Sequence, residues 1–313
     1  MHLKLGICGS RINEENLNGK NLGYEIDSIL NEAEKIYNEI VLIDPKQIIH
    51  LFEPNENHPQ IIYQSRDLSD LNTCIFRSIT GVEESISLLA RNLHYCSCDI
   101  IDPIERFTGA PTGKYFDSIK GFSRKIIPTT FFAFNLQSAH KILEIVGDKG
   151  LFPVILKPGK GKRGENVNLA TSYHEGIILA KDHFDIESGS DSSLIIQKYI
   201  EIKDEYRGIV LQGKCLGLVK KIAAPGKVAH NAAQGGTFIN VIDKEIEKFI
   251  EENASKKGLV GVDVARDVEN KIHYIESNRS PQWKSFEEAT NLNVAGKLIE
   301  FAYQRAKHPS DLF

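Results

Sequence analysis

Cysteine is scarce in this sequence, and its spacing shows no disulfide pattern. The five cysteines among 313 residues are too few and too scattered for the framework typical of small secreted domains. Cys96 and Cys98 form a C-x-C pair, but no second pair follows at the spacing of a zinc site. We therefore interpret this pair as buried free thiols, with metal or redox work as the alternative.

Long apolar runs and an excess of positive charge are also missing. No stretch approaches the roughly 20 apolar residues that a membrane-spanning helix needs, and the N-terminus shows no small-residue cleavage signal. These absences favour a cytoplasmic protein that does not enter a membrane. The formal net charge of −4 argues against a nucleic-acid partner, because such proteins are usually basic.

What is present is the composition of an ordinary globular protein, 41% hydrophobic and 26% charged. In residues 1–106, short apolar strands alternate with segments of helical periodicity, which predicts an α/β domain with a parallel sheet. The glycine- and proline-rich stretch 108–113 and the polar stretch 187–193 indicate boundaries. We therefore predict a central unit over 107–190 and a C-terminal α+β unit over 191–313.

The C-terminal unit is predicted to be rich in strands. Apolar runs of strand length predict strands over residues 194–200, 206–211, 216–222, 260–265 and 272–277. Helical spacing predicts helices near 243–257 and at the C-terminus.

A glycine-rich basic run follows the predicted strand that ends at Lys157. Its members are Gly159, Lys160, Gly161, Lys162, Arg163 and Gly164. Glycines let backbone N–H groups approach phosphate oxygens, and the cations offset their charge. The run does not match the P-loop pattern. A flap over a polyphosphate and a solvated basic loop are both compatible with it.

Acidic and amide side chains stand on two strands near the C-terminus. Asp263 interrupts an apolar strand, where an unpaired carboxylate is costly. Glu276 and Asn278 are two apart on the following strand, and residues so spaced point to one face. Their oxygens are hard ligands that suit Mg²⁺. The pattern predicts a metal site formed by these three residues, with solvated carboxylates at strand ends as the alternative.

Taken in order, these segments resemble the RimK-type ligases of the ATP-grasp superfamily. The resemblance runs from about Thr108 to the last helix, and it implies an ATP-grasp fold with a Rossmann-like preATP-grasp domain in front. It rests on these stretches of the chain: 154–158 with the glycine-rich run, 196–200, 234–236, 261–263, 275–278 and 286–295. The last of these resembles the helix that closes the RimK-type fold.

The resemblance implies roles for the matching positions. It implies that Asp263, Glu276 and Asn278 hold Mg²⁺, with Mn²⁺ able to replace it, and that Arg207 stabilises the transferring phosphoryl group. Asn231 is a second catalytic candidate, in the loop that shapes the acyl-phosphate pocket. The residues implied to bind ATP are Lys114, Lys157, Gly161, Gly164, Gln197, Lys198, Tyr199, Ile200 and Glu205.

Four further residues are candidates for substrate binding. Gly235 and Gly236 belong to the acyl-phosphate loop, and Arg77 and Arg279 are candidates for bidentate contact with a substrate carboxylate. A surface arginine is the alternative reading for each. Two positions depart from the RimK-type pattern: Lys198 stands where glutamate is usual, and Gln234 stands where arginine often precedes the paired glycines. Trp283 either walls the active site or caps a core.

The resemblance implies an ATP-dependent carboxylate–amine ligase that forms an amide through an acyl phosphate. The implied partners are an amino acid, a small acid, a peptide or a protein. A homo-oligomer is compatible with the resemblance, because RimK-type enzymes commonly associate, but the sequence does not determine the oligomeric state. The alternatives are a graspetide-type macrocyclase, which links side chains by ester or amide bonds, and a nucleotide-binding regulatory protein without turnover. Glu276→Gln or Asp263→Asn is expected to abolish Mg²⁺-dependent turnover and to leave the fold intact.

Overall fold

The structure is a computed structural model that describes residues 2–19, 21–102, 121–159, 166–186, 192–222 and 237–308. These residues form four sheets and the helices that cover them. None of the described helices combines the length and the apolarity needed to cross a membrane.

A parallel sheet with the strand order β2-β1-β6-β7 forms the centre of the N-terminal domain. Its elements are β1 (Lys4–Cys8), β2 (Glu39–Ile43), β6 (Thr73–Phe76), β7 (Asp99–Ile100), and the helices α1 (Glu14–Gly19), α2 (Tyr24–Ala33) and α3 (Glu83–Tyr95). Alternate residues of β1 enter opposite cores: Leu5 and Ile7 pack with α2, and Cys8 packs with α3. The α/β class predicted for this domain is confirmed.

The N-terminal domain also contains a small antiparallel sheet that the sequence patterns did not predict. It consists of β3 (Ile49–Leu51), β4 (Gln60–Tyr63) and β5 (Arg66–Asp67), after a short 3-10 helix (Pro45–Gln47). All five cysteines of the chain are free; in the C-x-C pair predicted to be buried, Cys98 is buried and Cys96 is only half-buried. Cys8, Cys74 and Cys98 are buried, and burial raises the pKa of each thiol.

An antiparallel sheet with the order β10-β9-β11-β8 forms the central unit. Its elements are β8 (Thr130–Ala133), α4 (Leu136–Asp148), β9 (Val154–Pro158), β10 (Asn168–Ala170), α5 (Tyr173–Ile186) and β11 (Leu194–Lys198). Both helices pack on one face of the sheet. Asn135 and Ser138 form a capping box at the start of α4, which satisfies backbone donors that the helix leaves unpaired.

The boundaries of the central unit differ from the predicted range 107–190. Strand β11 pairs with both β8 and β9, so the central sheet extends to Lys198. At the other end, Ile126 and Ile127 pack against the core of the C-terminal unit, and the Tyr274 backbone N–H donates to the Ile126 carbonyl at 2.9 Å. Composition alone did not show which sheet each of these segments joins.

The C-terminal unit is an antiparallel sheet with the order β14-β13-β12-β15-β16. Its elements are β12 (Ile202–Leu211), β13 (Lys214–Ile222), β14 (Thr237–Asn240), α6 (Lys244–Asn253), β15 (Leu259–Asp267), β16 (Ile272–Asn278), α7 (Lys284–Thr290) and α8 (Val294–Lys307). Helix α6 covers one face. Helices α7 and α8 cover part of the other face, together with the N-terminal domain.

The block 286–295, expected to lie in one closing helix, is divided between α7 and α8. The chain leaves α7 at Asn291, whose φ of +57° is left-handed, a conformation that asparagine tolerates better than most residues. Asn293 then begins α8 by accepting a hydrogen bond from the Gly296 backbone N–H at 2.6 Å. At the far end of α8, Arg305 binds Asp99 through two hydrogen bonds of 2.7 Å, which ties the chain end to the N-terminal sheet.

Candidate active site

A cluster of charged side chains lies on the face of the C-terminal sheet that α6 does not cover. Ile209, Val219 and Leu259 on this face pack against the core shared with the N-terminal domain. Side chains two apart on a strand share a face. Four charged residues therefore lie on the same face as these apolar side chains: Glu205 and Arg207 on β12, Lys221 on β13 and Asp263 on β15. The strand register therefore brings these residues together.

A β-bulge turns Glu276 toward the same face. Tyr274 lies opposite Val264 and packs in the core under α6, but Glu276 lies opposite Asp263. The register shift between Asp263 and Val264 supplies the extra residue, and without it Tyr274 and Glu276 would point to one side. Directly opposed residues have neighbouring side chains, so the two carboxylates meet across the strands.

Asp263 is the centre of this charged cluster and is only 3% exposed. Arg207 donates to its two carboxylate oxygens from Nε and Nη2, each at 2.7 Å. Lys221 donates to Asp263 Oδ2 at 2.7 Å and also pairs with Glu205. Burial raises the pKa of the Asp263 carboxyl, but the two cations outweigh it and hold that pKa below its usual range. Burial lowers the pKa of Arg207, and the Asp263 charge more than reverses this effect.

Lys221 was not among the residues predicted from the sequence. Its side chain is almost fully buried, whereas the adjacent Lys220 is partly exposed and pairs with Asp204. The signal that would have found it is its position two residues after the buried Val219 on an apolar strand, which places its side chain on the same face.

We expect Lys221→Met to lower the free energy of unfolding by about 3 kcal/mol, because it leaves the Glu205 and Asp263 carboxylates without a shared buried cation. The matched control is Lys220→Met, which removes a partly exposed pair with Asp204 and is expected to cost less than about 1 kcal/mol. Urea unfolding of both variants measures the difference. Equal losses for the two lysines would show that the buried pair has no special part in stability.

The second group of predicted residues lies on the central sheet. Val154, Leu156, Leu194 and Ile196 pack against α4 and α5, so Lys157 and Gln197 point to the opposite face of the sheet. There Lys157 Nζ donates to Gln197 Oε1 at 3.1 Å. The sheet face opposite α4 and α5 thus brings these two predicted ATP-binding side chains into contact.

The segment 197–200 was predicted to read adenine through its backbone. The Lys198 N–H donates to the Thr129 carbonyl at 2.8 Å, and the Tyr199 N–H donates to the Pro153 carbonyl at 3.0 Å. These two N–H groups therefore already have protein partners. Adenine recognition through the backbone stays a prediction for the other backbone groups of the segment, including those of Ile200. The Lys198 side chain is exposed.

Several predicted site residues fall in segments that the structure does not describe. Their roles remain predictions. They are Lys114, Gly161, Gly164, Asn231, Gly235 and Gly236.

The two substrate candidates differ in their surroundings. Arg77 is 1% exposed, donates to Asp102 Oδ2 at 2.9 Å and lies 5.7 Å from the Trp283 ring. This burial favours a structural part for Arg77, although its contact with a substrate remains a prediction. Arg279 is half-buried and directly follows Asn278, at the end of β16. Trp283 is fully buried in the interdomain core, which supports the reading that it caps a core.

The predicted metal ligands offer only oxygen donors. Glu276 is half-buried and Asn278 is exposed, with Asn278 Oδ1 accepting from the Ser280 backbone N–H at 3.0 Å. Within the described residues, no group of three or more His, Cys, Asp or Glu side chains is placed to hold a metal ion. The predicted set consists of two carboxylates and one amide, which suits the hard Mg²⁺ ion. Metal binding here stays a prediction.

Comparisons with known proteins place the chain in a family of similar sequences. A model of the RimK-like ATP-grasp domain matches residues 114–302. A probable alpha-L-glutamate ligase of Legionella pneumophila (strain Corby) is 30% identical over 199 residues, which cover 61% of this chain and 63% of that protein. The glutamate–LysW ligase ArgX of Sulfurisphaera tokodaii is 29% identical over 179 residues, covering 56% of this chain and 62% of that protein. The chain thus spans less than two thirds of these relatives.

A solved structure with similar architecture is the ATP-grasp ligase PsnB complexed with minimal precursor, Mg and ADP. It superposes with a TM-score of 0.66 at 13% identity, covering 97% of this chain and 98% of that one. At this identity the likeness shows the fold alone. It confirms the fold class that the sequence predicted.

Proposed function

The chain belongs to the RimK-like ATP-grasp family, and on that premise we propose that it is an ATP-dependent carboxylate–amine ligase. An oxygen of the substrate carboxylate attacks the γ-phosphorus of ATP, which gives an acyl phosphate and ADP. An amine then attacks the acyl carbon, and phosphate leaves as the amide forms. The observation that carries this proposal is the cross-strand cluster in which Arg207, Lys221, Asp263 and Glu276 converge on the face of the C-terminal sheet opposite α6.

Arg207 is suited to stabilise the transferring group because it is held in place before the reaction. Its Nε and Nη2 atoms are bound by Asp263, so its orientation is set and Nη1 is directed away from that pair. A donor fixed in this way needs little reorganisation free energy when negative charge develops on a phosphoryl or tetrahedral oxygen. Lys157, held by Gln197, supplies a second fixed positive charge for the phosphates of ATP.

Glu276 and Asn278, with Asp263 behind them, are the residues that would hold Mg²⁺. The bound ion would offset negative charge on the phosphates. Mn²⁺ prefers similar oxygen ligands, and its use in place of Mg²⁺ stays a prediction.

The substrates are proposed by class. Two relatives are named as ligases of glutamate, and another structure of PsnB is described as a complex with the precursor peptide PsnA2 and AMPPNP. These names support an amino acid, a small acid, a peptide or a protein as the acceptor. The macrocyclase alternative differs by joining two side chains of one peptide. A cytoplasmic location and self-association also remain predictions.

The test is ADP release with ATP and Mg²⁺ across a panel of amino acids, small carboxylic acids and candidate peptides, with mass spectrometry of the products. We expect ADP only with a particular acid and amine, and a product lighter than their sum by one water. A single peptide that loses one water would favour the macrocyclase. Measurable ATP binding without ADP under any pairing would favour the regulatory alternative and count against the ligase.

A further inference from the structure

Thr130 lies beside the predicted ATP-binding residues but is not itself among the residues predicted to bind ATP, metal or substrate. On β8 it is directly opposite Gln197 of β11, and Gln197 is opposite Ile155 of β9. Lys157 is two residues beyond Ile155, on the same face. Three neighbouring strands therefore place Thr130, Gln197 and Lys157 on the face of the central sheet opposite α4 and α5, with Thr130 directly across from Gln197 and Lys157 diagonal to it.

The three side chains form a chain of hydrogen bonds that runs in one direction. Lys157 Nζ donates to Gln197 Oε1 at 3.1 Å. Gln197 Nε2 donates to Thr130 Oγ1 at 2.7 Å. Thr130 Oγ1 donates to the carbonyl of Pro128 at 2.8 Å, and this backbone carbonyl ends the chain.

The direction of this chain follows from the chemistry of its groups. A threonine hydroxyl has one proton, and the Thr130 proton is directed to Pro128, so toward Gln197 this oxygen can only accept. The Gln197 amide must therefore present Nε2 to Thr130, which leaves Oε1 for Lys157. An ammonium group has donors only. The opposite orientation of the amide would set N–H groups against the ammonium and oxygen against oxygen.

We propose that Thr130 is a positioning residue for nucleotide binding: its hydroxyl sets the orientation of the Gln197 amide, and the amide holds the Lys157 ammonium where phosphate binds. A long lysine side chain has many rotamers in solution, and fixing it before binding lowers the entropy cost of the contact. The proposal rests on the proposed function only in assuming that Lys157 contacts the nucleotide.

The test compares variants at position 130 by direct nucleotide binding. Thr130→Val removes the hydroxyl and keeps the shape, whereas Thr130→Ser keeps the hydroxyl. The dissociation constant of ATP, measured by calorimetry without metal or acceptor, is expected to rise about 5-fold in Thr130→Val, as for one lost hydrogen bond. Thr130→Ser should bind like the unaltered protein. Thr130→Ala is measured in parallel, so that the result does not depend on the folding of one variant.

Two second-site variants separate positioning from a general structural effect. In a Lys157→Met background, Thr130→Val should no longer change ATP affinity, because the group that it positions is gone. In a Gln197→Glu background, Thr130→Val should again have no effect, because both oxygens of a carboxylate accept and no orientation has to be chosen. A structural defect would persist in both backgrounds.

The possible failures are distinguishable. If the unaltered protein does not bind ATP, the proposed function is overturned. If it binds ATP and Thr130→Val binds equally well, only the role of Thr130 is overturned. The same holds if the effect of Thr130→Val is unchanged in the Lys157→Met or Gln197→Glu background, since independent sites give additive effects.

Discussion

Glu276→Gln is expected to lower ATP- and Mg²⁺-dependent turnover by at least about 100-fold, because metal-ion stabilisation of the transition state amounts to several kcal/mol. The amide keeps the shape of the side chain and removes the charged ligand opposite Asp263. Glu276 is only half-buried, so the free energy of unfolding should change by less than about 0.5 kcal/mol. ADP release, as a function of Mg²⁺ concentration, measures the first effect, and urea unfolding measures the second.

The matched control for this variant is Glu269→Gln, in the exposed turn between β15 and β16. It makes the same chemical change in the turn that joins the same two strands, and it should leave both turnover and stability unaltered. Metal-free ATP binding should also be preserved in Glu276→Gln, because Lys157 and Gln197 lie on the other sheet. A normal rate in Glu276→Gln would rule out the metal assignment.

Asp263→Asn is expected to abolish turnover and also to destabilise the fold by about 3–5 kcal/mol, the cost of breaking a buried ion pair from one side. The Asp263 carboxylate accepts two hydrogen bonds from Arg207 and one from the buried Lys221. A neutral amide has one acceptor oxygen and sets its own N–H donors against these cations. Urea unfolding at neutral pH measures the loss.

The double variant with Lys221→Met tests this explanation. Removing the buried cation as well as the carboxylate leaves less uncompensated charge, so the double variant should lose less stability than the two single variants together. If the losses of unfolding free energy in the two single variants simply add in the double variant, the Asp263–Lys221 pair is not the cause of the destabilisation in Asp263→Asn.

The Asp263→Asn prediction revises an expectation drawn from the sequence. Asp263→Asn and Glu276→Gln were both expected to leave the fold intact, and for Asp263 the structure argues against this. Its carboxylate holds two cations in an almost fully buried cluster, so the same group serves both the fold and the proposed site. Glu276→Gln is therefore the cleaner test of metal binding.

The sequence by itself determined where most strands and helices lie and which family the chain belongs to. Apolar periodicity depends on neighbouring residues only, and strands such as β9, β12 and β15 are found close to where the pattern predicts them. A carboxylate inside an apolar strand already indicated that Asp263 has partners, because an unpaired charge there is costly. Both signals are local.

Only the tertiary structure decided which side chains meet. The bulge beside Asp263 that brings Glu276 to the site face depends on the register between two strands, and the sheet that β11 joins depends on its partners β8 and β9. Lys221 was missed for the same reason, since its partners are 16 and 42 residues away in sequence. Register and pairing are set by contacts between distant segments, so the pattern of a single strand does not contain them.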